Sequence, residues 1–227
     1  MHTPEDIKKL VGTYAAQFVQ QDSVIGLGTG STVYWLLQEL GNRVKQGLRF
    51  TAVPTSTQTL TIGKELGINF TELNEVDELS ITIDGADEAD PQLQLIKGGG
   101  GALLQEKMVA AATKKLIIIA DHTKIVEQLG KFPLPVEVIP FGWKHVKKHI
   151  ANLGCSEIVL RVRNNATFIT DNHNYILDCY FNKIENAASL NAALHNIPGV
   201  VETGLFINMA SSVIAGYPDG TIVTLPQ

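Results

Sequence analysis

The sequence predicts an α/β protein that combines a Rossmann-like, mainly parallel sheet with a second, smaller α+β (ferredoxin-like) domain. Over residues 1–130, short uninterrupted apolar strand patterns alternate with helix patterns, which is typical of a parallel sheet covered on both faces. After Lys131 the pattern becomes β-α-β-β, which is typical of an antiparallel α+β domain. Residues 205–227 return to short apolar strands, so we expect them to rejoin the first domain and leave 131–204 as the smaller one.

The first part of the chain has a helix signal followed by alternating strands and helices. Residues 4–20 place apolar side chains at intervals of three and four, and Thr3, Pro4 and Asp6 form a helix start signal. The segments that follow are predicted, in order, as strand SVIGLG, helix STVYWLLQELGNRV, strand FTAVPTS, helix TQTLTIGKELG, strand ITIDGAD, helix ALLQEKMVAAATKK and strand LIIIAD. Parallel sheets of this kind bind ligands at the carboxyl ends of their strands, so we expect the functional residues in the loops that follow these strands.

The second part begins with FPLPVEVIP, which carries three of the nine prolines and is predicted as an entry segment rather than a central strand. The segments after it are predicted as helix WKHVKKHIANLG, strands SEIVLRV, TFITD and YILDCYF, and helix ASLNAALHNI. GLFINMA and SVIAG then give short strands, and PDGTIVTL closes a hairpin through its Asp-Gly turn.

The composition excludes several classes of function. The 227 residues are 44% hydrophobic and 18% charged, as in an ordinary globular protein, and the net charge of −5 argues against a nucleic-acid partner. No signal-peptide core and no apolar run of about 18 residues occurs, so no membrane partner is expected. Cys155 and Cys179 lack any zinc or disulfide pattern and fit reduced thiols in a cytoplasmic protein. His145 and His149 lack the glutamate of an HExxH motif, so no metal site is predicted.

The first candidate site is the segment GLGTGST (Gly26–Thr32), which joins a strand to a helix. Its glycines permit a tight turn, and Ser31 and Thr32 lie at a helix N-terminus, where amides and the helix dipole favour an anion. The segment lacks the lysine of a P-loop and the GxGxxG spacing. It is either an anion cradle or a tight turn without a ligand.

Two further motifs follow the third strand of this series. In DGADE, Asp84 and Asp87 could move protons or hold a cation, or could belong to a plain Asp-Gly turn. In KGGGGA, Lys97 precedes four glycines, more than a connector needs, which favours close approach of a ligand over a linker. Lys97 could neutralise an oxyanion.

Polar residues in the next helix and after the next strand complete the candidates. Gln105, Glu106 and Lys107 interrupt an apolar helix, and periodicity does not decide which of them faces a site. A partly buried Glu106 would suit a general base, whereas an exposed Glu–Lys turn is the plainer alternative. In IADHTK, Lys124 is a possible second phosphate contact.

Together, GLGTGST, DGADE, KGGGGA with the following EK, IAD..K and GKFPLPVEVIP closely resemble the type A ribose-5-phosphate isomerases, and the resemblance extends to IPGVVETGLF and the final PDG. It implies an isomerase without metal or cofactor that interconverts D-ribose 5-phosphate and D-ribulose 5-phosphate in the non-oxidative pentose phosphate pathway. It also implies a homodimer or homotetramer. His173 and the segment INMASSVI depart from the family pattern, outside the catalytic motifs.

The resemblance also implies roles for individual residues. Glu106 would be the proton acceptor, Lys97 would stabilise the enediolate oxygen, and Asp84 and Asp87 would open the sugar ring and relay hydroxyl protons. Lys8 is a weaker candidate for a phosphate contact. The implied substrate-binding residues are Thr29, Gly30, Ser31, Thr32, Asp84, Gly85, Ala86, Asp87, Lys97, Gly98, Gly99, Gly100 and Lys124.

Two other functions use related folds. A sugar-phosphate sensor of a transcription regulator would need a DNA-binding segment or a basic surface, and neither is visible. CoA transfer or amino-sugar phosphate deamination would need a differently placed glutamate or a histidine that assists ring opening. The complete set of candidate catalytic residues favours the isomerase.

Overall fold

The computed structural model of the chain describes residues 1–226. Its α-helices are Pro4–Ala15 (α1), Ser31–Lys45 (α2), Thr57–Glu65 (α3), Leu103–Ala111 (α4), Trp143–Ala151 (α5) and Ala187–His195 (α6). Short 3-10 turns occupy Ala16–Phe18, Leu73–Glu75 and His122–Lys124. The strands are Ser23–Leu27 (β1), Phe50–Pro54 (β2), Asn69–Phe70 (β3), Ile81–Gly85 (β4), Glu88–Ala89 (β5), Leu95–Ile96 (β6), Leu116–Asp121 (β7), Leu134–Val138 (β8), Glu157–Leu160 (β9), Val162–Arg163 (β10), Ala166–Thr167 (β11), Tyr175–Tyr180 (β12), Val200–Thr203 (β13), Leu205–Phe206 (β14), Ala210–Gly216 (β15) and Ile222–Leu225 (β16).

Among the described residues, the first of two compact units contains residues 1–86, 105–125 and 209–226. Its seven strands form one sheet in the order β16-β15-β7-β4-β1-β2-β3. Every pair is parallel except β15 with β16, which the predicted Asp219-Gly220 turn joins as a hairpin. The prediction of a mainly parallel sheet is confirmed, and the C-terminal strands β15 and β16 lie in this sheet.

Helix α1 shows how local sequence and packing agree in this unit. Thr3 and Asp6 form a capping box, in which the Asp6 N–H donates to Thr3 Oγ1 at 3.2 Å and the Thr3 N–H donates to Asp6 Oδ2 at 2.9 Å. Ile7 and Val11 are buried on one helix face and belong to the core that also contains the β-strand side chains. The helix ends at Ala15, earlier than the pattern over 4–20 predicts, and a 3-10 turn continues it.

The second unit contains residues 87–104 and 126–208. Its main sheet is antiparallel, with the order β13-β8-β12-β9, and helices α5 and α6 occupy the two crossovers. This β-α-β-β-α-β sequence with its strand order is ferredoxin-like, which confirms the predicted fold class. A smaller sheet, β14-β6-β5, carries the segment that leads into the four glycines.

The prediction for FPLPVEVIP was wrong. Strand β8 (Leu134–Val138) lies inside the sheet, where it pairs with β12 on one side and β13 on the other. Pro135 is tolerated because it is the second residue of the strand, and its carbonyl still accepts a hydrogen bond from Gly204 at 2.7 Å. Fully buried Leu134, Val136 and Val138 explain why an apolar strand forms here despite the prolines.

Other boundaries differ from the sequence patterns in smaller ways. Helix α4 stops at Ala111, because the backbone of Leu79 then bonds to Ala112 and Lys114 in a strand-like arrangement. The predicted strand TFITD is absent except for its first residue, Thr167, which belongs to the short strand Ala166–Thr167. Residues 87–104, 126–130 and 205–208 group with the second unit, whereas the predicted domains put them in the first. The division of the chain into separately folding domains stays a prediction.

Among residues 1–226, no helix is both long enough and apolar enough to cross a membrane.

Candidate active site

Three neighbouring strands of the first unit end in candidate loops. Strands β7, β4 and β1 lie side by side and run parallel, so their carboxyl ends meet at one edge of the sheet. Gly28–Thr32 follows β1, Asp84–Ala86 closes β4, and His122–Lys124 follows β7. The sheet therefore gathers three of the predicted segments at the edge where ligands bind in this class of fold.

The loop after β1 is built around the Asp84 side chain. Asp84 is 1% exposed, and its Oδ1 accepts the N–H groups of Thr29 at 3.0 Å and Gly85 at 2.7 Å. A Cβ atom on Gly28 would lie 2.0 Å from this same oxygen, so only glycine allows the loop to approach the carboxylate. Asp84 thus connects the ends of β1 and β4.

A cluster of hydroxyl groups from the segment after β2 and the first turn of α3 anchors Thr29. Thr29 Oγ1 lies 2.8 Å from both Thr55 Oγ1 and Ser56 Oγ, and 3.2 Å from Thr59 Oγ1. Thr59 in turn donates to the Gly28 carbonyl at 2.7 Å. The sequence reasoning missed this cluster, although the hydroxyl-rich run PTSTQT at the carboxyl end of β2 was a usable signal.

Helix α2 starts at this loop and presents its N-terminus to it. Its N-cap, Gly30, has φ +132° and ψ 175°, a conformation that is essentially restricted to glycine. Gly30 has no side chain to cap the first-turn amides, and Ser31 is exposed beside them, whereas Thr32 is buried. The 15-residue helix therefore offers amides and a positive dipole end suited to an anion.

The structure distinguishes the three polar residues of helix α4. Glu106 is 4% exposed, while Gln105 and Lys107 are partly exposed and Met108 is exposed. Among the three polar residues of this turn, Glu106 is thus the buried one. Which of them faces a site stays a prediction.

Lys124 lies after β7, in a 3-10 turn that Asp121 starts. The Asp121 carboxylate accepts the Thr123 N–H at 3.0 Å and also bonds the Thr123 hydroxyl. Lys124 is partly exposed at this position. Lys8, the weaker phosphate candidate, lies on α1 with its ammonium 3.6 Å from Glu5.

The four glycines and Asp87 belong to the second unit and are bonded to each other there. We call Gly98–Gly101 the glycine loop. Its Gly99 N–H donates to Asp87 Oδ2 at 2.7 Å, and its Gly101 N–H donates to the Gly98 carbonyl at 3.0 Å, closing a turn. Gly98 and Gly101 have φ values of +101° and +93°, so the turn depends on glycine at both ends.

Lys97, which precedes the glycine loop, is one of the most buried side chains in the chain. It is 2% exposed, and its ammonium lies 5.3 Å from the centre of the Phe206 ring. Its backbone N–H donates to the Gly204 carbonyl at 2.8 Å. A buried cation next to a glycine-rich backbone is the arrangement expected for stabilising an oxyanion.

The predicted site residues therefore form two sets. The first unit holds Thr29–Thr32, Asp84–Ala86, Glu106 and Lys124, and the second holds Asp87 and Lys97–Gly100. Only two residues separate Asp84 from Asp87 in the chain, so the backbone itself connects the two sets. Within residues 1–226, no group of three or more histidine, cysteine or acidic side chains is arranged to hold a metal ion.

The chain is similar over most of its length to one group of enzymes. Residues 51–220 match the family model described as ribose 5-phosphate isomerase A (phosphoriboisomerase A). The ribose-5-phosphate isomerase A of Bacillus cereus (strain ATCC 14579) is 59% identical over 216 residues, which cover 95% of this chain and 98% of that protein. The ribose 5-phosphate isomerase structure from Plasmodium falciparum is 39% identical with a TM-score of 0.95, covering 98% and 99% of the two chains. A D-ribose-5-phosphate isomerase structure in complex with phospho-erythronic acid is 37% identical, again with a TM-score of 0.95 and full coverage of both chains.

Proposed function

The chain belongs to the ribose 5-phosphate isomerase A family, and from this premise we propose how its residues divide the work of the reaction. It is an isomerase that interconverts D-ribose 5-phosphate and D-ribulose 5-phosphate. The observation that carries the assignment of roles is the burial of a single carboxylate, Glu106, in the first turn of α4.

Glu106 is the base that moves the proton. In the direction from aldose to ketose, it removes the proton from C2, and the electrons form a C1–C2 double bond while the oxygen on C1 takes the negative charge, which gives an enediolate. The proton of the C2 hydroxyl then moves to the oxygen on C1, Glu106 returns its proton to C1, and the oxygen on C2 becomes the new carbonyl. A single carboxylate can do both transfers, and its burial at 4% exposure keeps bulk water away from the proton in transit.

Lys97 and the two aspartates act on the oxygens. The buried ammonium of Lys97 offsets the negative charge that develops on the enediolate, which is worth most where water is excluded. Asp84 and Asp87 open the furanose ring and carry the hydroxyl protons. Because Lys97 supplies the positive charge, we expect the reaction to proceed without a metal ion or other cofactor.

The N-terminus of α2 and Lys124 hold the phosphate of the substrate. Backbone amides and a hydroxyl group come from Gly30, Ser31 and Thr32 at the start of α2. Lys124 adds a positive charge from the end of β7, which lies two strands, or about 10 Å, from β1 in the sheet. One related structure holds phospho-erythronic acid, a phosphorylated sugar acid whose carboxylate resembles an enediolate in shape and charge. Contacts to the remote phosphate position the sugar for proton transfer.

We further propose that the enzyme works in the cytoplasm as a homodimer or homotetramer, within the non-oxidative pentose phosphate pathway. Two cysteines present as free thiols in the structure are consistent with a reducing compartment. Light scattering of the purified protein measures the oligomeric state, and a monomer at working concentration would contradict the proposal.

The roles are tested by replacing Glu106→Gln, which keeps the size of the side chain but removes the base. We expect kcat to fall by about 10³-fold or more with little change in KM. Lys107→Gln introduces the same side chain one residue along the same turn, and its turnover should stay within about threefold of wild type. A Glu106→Gln enzyme with substantial turnover would remove Glu106 from its role.

A further inference from the structure

A largely buried arginine from another part of the chain is bonded to the glycine loop. Arg161 Nη1 donates to the Gly98 carbonyl at 2.7 Å and to the Gly99 carbonyl at 3.3 Å. Its side chain is 10% exposed, and it stands 63 residues after Gly98. All of these residues belong to the second unit.

Asp178 fixes the orientation of this guanidinium. Arg161 Nε donates to Asp178 Oδ2 at 3.0 Å, and Nη2 pairs with Oδ1, so the carboxylate binds the guanidinium at two points. Arg161 directly follows β9, and its N–H donates to the Ile176 carbonyl at 2.9 Å, so Asp178 of β12 is its diagonal neighbour. A planar guanidinium bound in this way cannot rotate, so Nη1 remains directed at the glycine loop.

The peptide between Gly98 and Gly99 transmits this orientation to Asp87. The carbonyl and the N–H of a trans peptide point in opposite directions. On one side of this peptide, the Gly98 carbonyl accepts from Arg161 at 2.7 Å, and on the other, the Gly99 N–H donates to Asp87 Oδ2 at 2.7 Å. Asp178, Arg161, the peptide and Asp87 therefore form one chain of charge-assisted hydrogen bonds, in which each bond polarises the next.

The other end of the glycine loop has a second, weaker support. Arg163 Nη2 donates to the Gly100 carbonyl at 3.2 Å from an exposed position. Arg163 also lies 4.4 Å from the centre of the Phe168 ring, and a Cβ atom on Gly101 would come within 2.4 Å of that ring. The loop thus has its carbonyls held by two guanidinium groups and its last glycine packed against an aromatic ring.

We propose that Arg161 is a positioning residue for the isomerase reaction: anchored by Asp178, it orients the Gly98–Gly99 peptide and, through it, the carboxylate of Asp87. The Gly99 carbonyl, which belongs to the same peptide as the Gly100 N–H, also accepts from Arg161. The Gly100 N–H therefore points away from Arg161. This inference rests on the proposed role of Asp87 in the reaction. It gives the four glycines a second function, since a backbone without side chains allows guanidinium groups to reach three successive carbonyls.

The first test replaces Arg161→Ala and Arg161→Lys. We expect the alanine variant to lose about 100-fold in kcat with KM changed much less, because misplacing a reacting group by about an ångström has this effect. Lysine restores a charge but not the two-point contact with Asp178, so kcat of the lysine variant should lie between those of the wild type and the alanine variant. Guanidinium ion at a few tens of millimolar, far below denaturing concentrations, should raise kcat of the alanine variant about tenfold, and ammonium ion should not.

Arg163→Ala is the matched control, since it removes one exposed contact to the same loop, and it should cost less than about threefold in kcat. If Arg161 only stabilises the fold, Arg161→Ala would lower the melting temperature and the active fraction together. Guanidinium would then restore nothing, and this result would overturn the inference. The lysine variant keeps the test decisive if the alanine variant folds poorly.

The second test is a double-mutant cycle with Asp87→Asn. If Arg161 acts through Asp87, adding Arg161→Ala to Asp87→Asn should lower kcat by less than about threefold further. If Asp87→Asn is slow and adding Arg161→Ala still lowers kcat by a further factor of about 100, the inference about Arg161 is overturned, while the proposed role of Asp87 stands. Wild-type turnover by Asp87→Asn would instead remove Asp87 from the proposed chemistry, and the inference with it.

Discussion

The two glycine-rich loops of this isomerase use glycine for different physical reasons. In the loop after β1, Gly28 is required because the Asp84 carboxylate lies where its side chain would be, and hydroxyl groups of the segment after β2 hold the rest. In the glycine loop, Gly98 and Gly101 are required for their positive φ, and guanidinium groups from distant residues hold the carbonyls. The first loop is held by hydrogen bonds to Asp84 and to residues that follow β2, whereas the second depends on supports that come later in the chain.

This difference implies different effects on catalysis. The loop after β1 ends in a helix N-terminus suited to the phosphate, so a substitution that disturbs this loop should mainly raise KM. The glycine loop is bonded to Asp87 and follows Lys97, so its disturbance should appear mainly in kcat. Variants in the two loops can therefore break or sharpen the comparison.

The largest effect is expected from Gly99→Ala. A Cβ atom there would lie 2.5 Å from Asp87 Oδ1, which is the movable end of a side chain, so the carboxylate shifts while the fold survives. We expect kcat to fall by about 100-fold, with a melting temperature close to that of the wild type. Steady-state kinetics and thermal unfolding measure both quantities. A variant with normal kcat would show that the contact between Gly99 and Asp87 is irrelevant to turnover.

A smaller effect is expected from Ser31→Asp at the N-terminus of α2. The added carboxylate repels the phosphate at the position where the helix would bind it, so KM should rise about tenfold while kcat changes less. Ser31→Asn has nearly the shape of the aspartate without its charge and should therefore raise KM clearly less than Ser31→Asp does. Equal KM values for the two variants would place the phosphate elsewhere.

Thr29→Val tests whether the hydroxyl cluster supports the first loop or binds substrate itself. The change removes the hydroxyl that lies within hydrogen-bonding distance of Thr55, Ser56 and Thr59. We expect the free energy of unfolding to fall by about 1–2 kcal/mol, with Thr29→Ser close to wild type. An increase in KM without loss of stability would mean that the Thr29 hydroxyl contacts the substrate.

The smallest effect concerns Asp90, in the turn between β5 and β6 that leads toward the glycine loop. Burial raises the pKa of Asp90, although its Oδ1 accepts the N–H groups of Gln92 at 2.9 Å and Gln94 at 2.8 Å, which act in the opposite direction. A raised pKa in the folded state means that ionised Asp90 destabilises the fold at neutral pH, and that this penalty is relieved as the pH falls through the folded-state pKa.

Asp90→Asn keeps an oxygen for both N–H groups without the charge, so it should unfold at a slightly higher urea concentration than wild type at pH 7. The advantage should shrink as the pH is lowered, because wild-type Asp90 then becomes protonated in the folded state. A variant that is less stable than wild type at pH 7 would show that the turn needs the charged carboxylate.

The same two loops also differ in how far the sequence predicts them. The loop after β1 is a local strand–turn–helix, so its motif, its sheet edge and the start of α2 at Ser31 could all be predicted. Thr3 and the Asp219-Gly220 turn are likewise local signals that the structure confirms. Burial of Glu106 could not be predicted, because its neighbours in α4 are apolar on all sides.

The supports of the glycine loop could not be predicted either. Arg161 and Arg163 stand in the short pattern LRVR, which reads as an ordinary exposed strand, and their contacts with the loop span 63 residues of sequence. Strand β8 was missed for a related reason: its prolines are a local signal against a central strand, and the burial that overrides them comes from β12 and β13.

The most direct test of the account follows ribose 5-phosphate labelled with deuterium at C2 during turnover by chelator-treated enzyme. We expect full turnover after chelation, a slower reaction of the labelled sugar, and partial loss of deuterium to solvent, because Glu106 holds the proton between C2 and C1. Turnover that disappears on chelation and returns with a divalent metal would contradict the role of Lys97. Complete retention of the label at C1 under all conditions would indicate a hydride shift and contradict proton transfer by Glu106.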